Sequence, residues 1–177
     1  AVSGVTVLLE GANESGNYKG SPALLQVSAK TFVQQPVLQD EIFGPASMLV
    51  LCDDLAEMLE AMQGLHGQLT GSIFANETDL AAYKYIIDAL SAHVGRVVYN
   101  NVPTGVEVCH AMVHGGPFPA TTDSRSTSVG AEAMKRFLRP ICLQDCPAAA
   151  LPAGLQNTNP LGIMRKVNGT YTREPIV

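Results

Sequence analysis

Asp40-Glu41-Ile42-Phe43-Gly44-Pro45 sets a carboxylate, an aromatic ring two residues on and a Gly-Pro turn just ahead of an apolar run. A glutamate so placed can accept two hydrogen bonds from a diol such as a ribose, and Phe43 can wall one side of that ligand. Open α/β domains keep such groups in the loops at strand ends. Read alone, the same residues describe an ordinary acidic turn before a strand. His110 and His114 are four residues apart, which on a helix would put both imidazoles on one face. The H-E-x-x-H zinc pattern needs glutamate after its first histidine, and Ala111 stands there, so loop or supporting histidines are expected. Cys109 beside His110 invites a thiol–imidazole dyad, but adjacent side chains seldom point at one another. Gly11 to Gly16 has the glycine spacing of a phosphate loop, yet Asn17-Tyr18 follows where Lys-Ser or Lys-Thr is required, so a surface turn is expected. No G-x-G-x-x-G occurs, so the chain carries no dinucleotide fingerprint of its own.

The elements that must position these residues are clearest in the middle of the chain. Ser47 to Cys52 is a short apolar run suited to a buried strand. Asp53 offers an N-cap, and Leu55, Met58, Leu59 and Met62 then follow at helical spacing until Gly64 and Gly67. Leu69 to Ala75 reads as a second strand, and Asn76 to Asp79 supplies capping chemistry. Leu80, Tyr83, Ile86, Ile87 and Leu90 make one more helix, with Gly95 as its stop, and Arg96 to Tyr99 is a third strand. Such alternation predicts parallel strands joined by right-handed crossovers. Upstream, Val5 to Leu9 and Leu24 to Ser28 read as strands joined by the Gly-, Asn- and Ser-rich loop Gly11 to Gly20. Asn100 to Thr127 is a long stretch without periodicity, of the kind that is functional or disordered. Ser128 to Arg136 predicts a short helix capped by Ser128, and Phe137 to Leu143 a last strand held to an edge or bulge by Pro140. The tail after Cys146 carries four prolines and no pattern.

Composition bounds what these elements can be. The chain has 177 residues, 46% hydrophobic and only 15% charged, which excludes a disordered chain and is poor in charge for a freestanding domain. Eleven Lys and Arg face sixteen Asp and Glu with no basic cluster, so no nucleic-acid partner is expected. Apolar runs such as Met48 to Cys52 are too short to span a membrane, and nothing at the N-terminus resembles a signal peptide. The first residue is Ala1, a hint of a fragment or processed product. Cys52, Cys109, Cys142 and Cys146 form no C-x-x-C pair, Cys52 reads as a buried thiol, and a reducing cytoplasm fits. The sequons at Asn13, Asn76 and Asn168 read as chance matches.

Glu41-Ile42-Phe43-Gly44-Pro45 resembles the E-x-F-G-P motif of the NAD(P)-dependent aldehyde dehydrogenase superfamily, and Val37 to Asp40 leads into it as in that family. Gly95 to Asn100 resembles the family's G-x-V-x-x-N strand. Gly105 to Gly130 resembles the 2,5-dioxovalerate (α-ketoglutarate semialdehyde) dehydrogenase branch and the related NADP-preferring fatty-aldehyde enzymes. The resemblance runs from about residue 1 to about 146. It implies an α/β fold: residues 1–136 are the C-terminal part of the catalytic domain, mainly a parallel βαβαβ sheet, 137–146 an oligomerisation strand, and 147–177 an unassigned tail.

The family's nucleophilic cysteine, its general-base glutamate and its Rossmann domain match nothing in this sequence, so no catalytic residue is assigned and the chain alone is expected to be inactive. By the resemblance, Glu41 hydrogen-bonds the nicotinamide ribose of NADP or NAD, Phe43 packs beside it, and Phe118 lies in the substrate tunnel. The implied partners are a small aldehyde with a far carboxylate and, in the complete enzyme, further copies in a dimer or tetramer; no metal is implied. A guanidinium fork suits a carboxylate, so Arg125 is the candidate for the substrate's far end, against the plainer role of a structural arginine in a Ser/Thr-rich loop. The alternative from another class is a non-catalytic binding or assembly module.

Overall fold

The computed structural model describes residues 2–12, 19–103 and 105–176. The Asn13 sequon and most of the Gly11 to Gly16 turn lie outside the described residues. Strand β1 (Thr6–Glu10) pairs antiparallel with β2 (Ala23–Ser28), Thr6 opposite Gln26 and Glu10 opposite Ala23, with an irregularity between Val7 and Leu9. Strand β3 (Ala46–Leu51) runs parallel to β2, from Ala23 opposite Ala46 to Ser28 opposite Leu51. Helix α1 (Ala29–Gln34) grows directly out of β2, because the Ser28 hydroxyl accepts from Thr31 N–H at 3.2 Å and caps it. Its six residues are too few for a periodicity, so the sequence gives no helical sign there.

Helix α2 (Leu55–Gln63) is capped by Asp54 and not by Asp53. The Asp54 carboxylate accepts from Glu57 N–H at 2.9 Å, and Glu57 in turn accepts from Asp53 N–H at 2.7 Å. The two carboxylates share the orphan amides of the first turn, and Glu57 is well placed against its positive end. After Gly64, β4 (Gln68–Ile73) pairs in parallel with β5 (Val94–Tyr99). Two helices, and not one, join them: α3 (Glu77–Ala82), with a capping box between Asn76 and Asp79, and α4 (Lys84–Ser91). Tyr83 breaks the run at φ −114, ψ 32. The expected stop at Gly95 is displaced too, since α4 ends at Ser91 with Ala92 as its C-cap, and Gly95 sits inside β5.

The expected single parallel βαβαβ sheet is divided. Among the described residues β3 and β4 share no ladder, and the strands form β1-β2-β3, β4-β5 and a small hairpin. The mixed α/β class stands, with little core: the buried apolar residues described are Val27, Ala29, Phe32, Ala61 and Val94. Strand β3 alternates in burial and is not buried on both faces, with Leu49 45% and Leu51 51% exposed, because no layer covers that side.

Chain contacts divide the molecule into 1–137 and 138–177. In the first unit the predicted helix over 128–136 is a 3₁₀ helix at Ala131–Phe137. Ser128 does not cap it; its hydroxyl donates to His114 O at 3.0 Å. In the second, residues 138–143 form no strand: a ladder needs a neighbouring strand, and Pro140 lacks a donor. The tail is not patternless. Hairpin β6 (Arg165–Val167) and β7 (Thr170–Thr172) closes over Asn168-Gly169, both at positive φ. Asn159, itself buried, donates to Ile163 O and Arg173 O, and Arg165 donates to the carbonyls of Gln156, Asn157 and Glu174. The Asn-Gly pair between alternating residues was the legible sign of that hairpin.

Candidate functional site

The Glu41 loop is held by a side chain that no motif flagged. A 3₁₀ turn at Pro36–Gln39 precedes it. Gln39 reaches across to the end of α2, donating from Nε2 to Gly64 O at 3.0 Å and accepting at Oε1 from His66 N–H at 2.8 Å. Its amide thus ties Asp40-Glu41 to the approach to β4, though 25 and 27 residues separate the partners. After Glu41 the backbone turns tightly, with Gly44 N–H donating to Ile42 O at 2.7 Å and Ala46 N–H to Gly44 O at 2.8 Å.

A second loop arrives by close backbone approach. A methyl on Gly95 would lie 2.0 Å from Gly115 O, and one on Gly67 2.1 Å from Pro117 O. Only glycine at both points lets residues 115–118 cross the starts of β4 and β5. Gly67 N–H donates to Phe118 O at 3.3 Å, fixing the register of the crossing. At the far end of the same strands Asn100, at φ 50, accepts from Ala75 N–H and donates to Ala75 O, both at 2.9 Å. The G-x-V-x-x-N pattern therefore has a physical reading: its glycine admits the loop and its asparagine locks two strand ends together.

These loops line an open cavity of about 490 Å³ whose lining includes Glu41, Asp40, His66, Gln68, Pro119 and Ala120. Glu41 also lines a neighbouring cavity of about 330 Å³ with Leu25, Leu38, Ile42 and Met48. The structure thus brings Glu41 together with the loop that carries Phe118, but Phe118 itself is 78% exposed and lines neither cavity. Phe43 is 97% exposed, and a methyl on Gly44 would meet nothing within 4 Å, so there is open space beside the ring. A carboxyl group on an open cavity, with an exposed aromatic face two residues on, offers hydrogen-bond acceptors beside an apolar surface.

Arg125 is engaged elsewhere. Its Nε donates to Asp123 Oδ1 at 2.9 Å and its Nη2 to Oδ2 at 3.5 Å, with Arg125 exposed and Asp123 half-buried. The Arg125 guanidinium holds the Asp123 carboxyl below the usual carboxylate range, and Asp123 raises Arg125 in return. His110 lies in a turn and not on a helix, so it shares no helical face with His114. Among the described residues no group of three His, Cys, Asp or Glu could hold a metal ion, and no hydrogen bond joins Cys109 to His110. His114 is held at its backbone, its N–H donating to Thr127 Oγ1 at 2.8 Å. All four cysteines are free.

Parallel strand pairs, helical crossovers and a carboxylate-lined cavity near the start of β4 make this a mixed α/β protein. The chain belongs to the aldehyde dehydrogenase family, whose sequence model matches residues 1–139. It is 48% identical over 156 residues to an alpha-ketoglutaric semialdehyde dehydrogenase of Acinetobacter baylyi, a match covering 88% of this chain and 30% of the relative. It is also 48% identical over 147 residues to alpha-ketoglutaric semialdehyde dehydrogenase 2 of Azospirillum brasilense, covering 83% and 28%. The chain therefore spans under a third of the length of these curated relatives.

Proposed function

We propose that this chain supplies the cofactor-facing part of the catalytic unit of an NAD(P)-dependent aldehyde dehydrogenase acting on α-ketoglutarate semialdehyde. Two relatives at 48% identity, both named alpha-ketoglutaric semialdehyde dehydrogenases, support the substrate. The observation that carries the cofactor role is Glu41, whose carboxylate lines an open cavity beside the exposed Phe43. The nicotinamide cofactor, when bound, supplies the hydride acceptor. Glu41 accepts from both ribose hydroxyls and so fixes the angle at which the nicotinamide is presented. Phe43 covers the apolar side of that sugar. Phe118 contributes to the wall of the substrate passage.

Arg125 reads the substrate's far carboxylate only by exchanging Asp123 for it, a swap of one bidentate partner for another. Residues 137–146 pair with a neighbouring subunit's sheet, which accounts for the missing ladder at 138–143 in one chain. None of the four cysteines matches the family's nucleophile, so the 177-residue chain alone oxidises no aldehyde.

The test is Glu41→Gln in a full-length polypeptide containing these residues. Glutamine keeps the shape, but its NH2 end cannot accept. A hydrogen bond to a charged group is worth about 1.5–3 kcal/mol, so its loss slows the pre-steady-state burst of reduced cofactor roughly ten- to a hundredfold. An unchanged burst with a lowered Tm makes Glu41 a structural acid and ends the cofactor assignment. Absence of any turnover in the full-length polypeptide supports the assembly-module alternative instead.

A further inference from the structure

Three described asparagines have positive φ: Asn100 at 50°, Asn159 at 49° and Asn168 at 47°. They differ in what their side-chain amides do. Asn100 is bonded to Ala75 through both amide atoms. Asn159 is buried, its Nδ2 donating to Ile163 O and Arg173 O and its Oδ1 accepting from Ile163 N–H. Asn168 is exposed at the tip of the β6–β7 hairpin, and no hydrogen bond among the described residues engages its side chain.

The following residue separates them further. Asn100 precedes Asn101, and Asn159 precedes Pro160, which has no N–H. Asn168 precedes Gly169, and no other asparagine of the sequence precedes glycine. A glycine has no side chain to crowd the approach of its nitrogen to a carbonyl carbon. Gly169 also lies outside the ladder, which pairs Val167 with Thr170, Lys166 with Tyr171 and Arg165 with Thr172. A hairpin of so few pairs opens readily in water. Its strong anchors sit away from the tip, where Arg165 donates to the carbonyls of Gln156, Asn157 and Glu174.

We propose that Asn168 is a self-modification site, where the chain converts its own asparagine to aspartate and isoaspartate with water as the co-reactant. Gly169 N attacks Asn168 Cγ. The new N–Cγ bond closes a cyclic imide, the bond from Cγ to Nδ2 breaks, and ammonia leaves with the proton from Gly169 N. Water then opens the imide at either carbonyl. Opening at Cγ leaves aspartate. Opening at the main-chain carbonyl leaves isoaspartate, whose backbone runs through Cβ and Cγ. Nothing is oxidised or reduced. Both products add a negative charge, but only isoaspartate adds an atom to the main chain. A two-residue loop between Val167 and Thr170 has no room for that atom, so the register of β6 on β7 is lost and Arg165 is drawn off the carbonyls it holds. The inference depends on neither the proposed substrate nor Glu41.

The test keeps the 177-residue chain folded at mildly alkaline pH and maps its peptides over time. Asn168 is expected to be the first asparagine converted, and faster as pH rises, because Gly169 N must lose its proton. Its peptide divides into a form cut by a protease that cleaves before aspartate and an isoaspartyl form that resists it. In the isoaspartyl fraction amide exchange over 165–172 quickens at least about tenfold. An Asn168→Asp chain, with the charge but not the extra atom, exchanges like the parent. Earlier conversion of Asn157, exposed and followed by Thr158, overturns the proposal. So does an Asn168 that survives in the folded chain and is converted in urea, since the turn then shields it. Exchange that is unchanged in the isoaspartyl fraction, or equally fast in Asn168→Asp, overturns the loss of register.

Discussion

At the scale of single residues the four free cysteines are chemically distinct. Cys52 lies half-buried at the end of β3, and burial raises its thiol, helped by the carboxylates of Glu57, Asp53 and Asp54. The thiolate is the form that reacts, so Cys52 is slow toward alkylating agents at neutral pH. Cys142 is exposed. Iodoacetamide followed by peptide mass mapping is expected to label Cys142 before Cys52; the reverse order would mean that the α2 end of the molecule opens readily. The sign of the linkage follows from the raised thiol. The folded state favours protonated Cys52, so this contribution to stability is complete below the ordinary thiol range and is lost as pH rises through the raised value. Arg125 gives a second residue-scale prediction. In the full-length enzyme Arg125→Ala is expected to raise KM for the carboxylated aldehyde and leave KM for an uncharged aldehyde of similar length unchanged. Equal effects on both would leave Arg125 as the partner of Asp123 and nothing more.

At the scale of elements, caps and crossings carry the local stability. Asn76 closes a reciprocal capping box with Asp79 at the start of α3. Asn76→Ala is expected to cost about 1 kcal/mol, a Tm decrease of about 2–4 °C for a chain of this size. Gly95→Ala is harsher, because its methyl would collide with backbone oxygen and not with a flexible side chain. It is expected to cost about 1–3 kcal/mol by forcing the 115–118 loop off β5. Faster amide exchange localised to that loop would confirm the mechanism. An unchanged Tm would show that the loop shifts freely. Much of this level was legible beforehand. The apolar runs and helical spacing located all five strands of the first unit and α2, and the Asn76–Asp79 cap was readable as such. The Tyr83 break, the Asp54 cap and the Gln39 clamp were not, since each depends on backbone geometry or on partners distant in the chain.

At the scale of the whole molecule, surface and core are out of proportion. Register and burial put Leu9, Leu49 and Leu51 on the same face of the first sheet, each about half exposed, opposite the face that covers Val27. Phe74 adds another apolar surface at 66% exposure. With charged residues at only 15%, little opposes burial of these faces. The isolated chain is expected to bind an apolar dye and to sediment at micromolar concentration as dimers or larger species. Association through this open face leaves the edge amides of β3 and β4 exchanging. A clean monomer without dye binding would show that these faces are stable in water.

The amino-acid sequence by itself determined the alternation of strands and helices, the acidic loop ahead of β3 and the family signature, because these reside in local spacing. It also singled out Glu41, Phe43, Phe118 and Arg125 as candidates for chemistry. Tertiary structure alone decided which strands are neighbours. An apolar run states that a strand will be covered but not by what, so β3 and β4 read as partners and stand apart. It likewise decided that Glu41 shares a cavity with Pro119 and Ala120, and that Arg125 is held by Asp123. Those outcomes depend on backbones passing within van der Waals reach at Gly67 and Gly95 and on an amide clamp spanning more than twenty residues, contacts that no periodicity encodes.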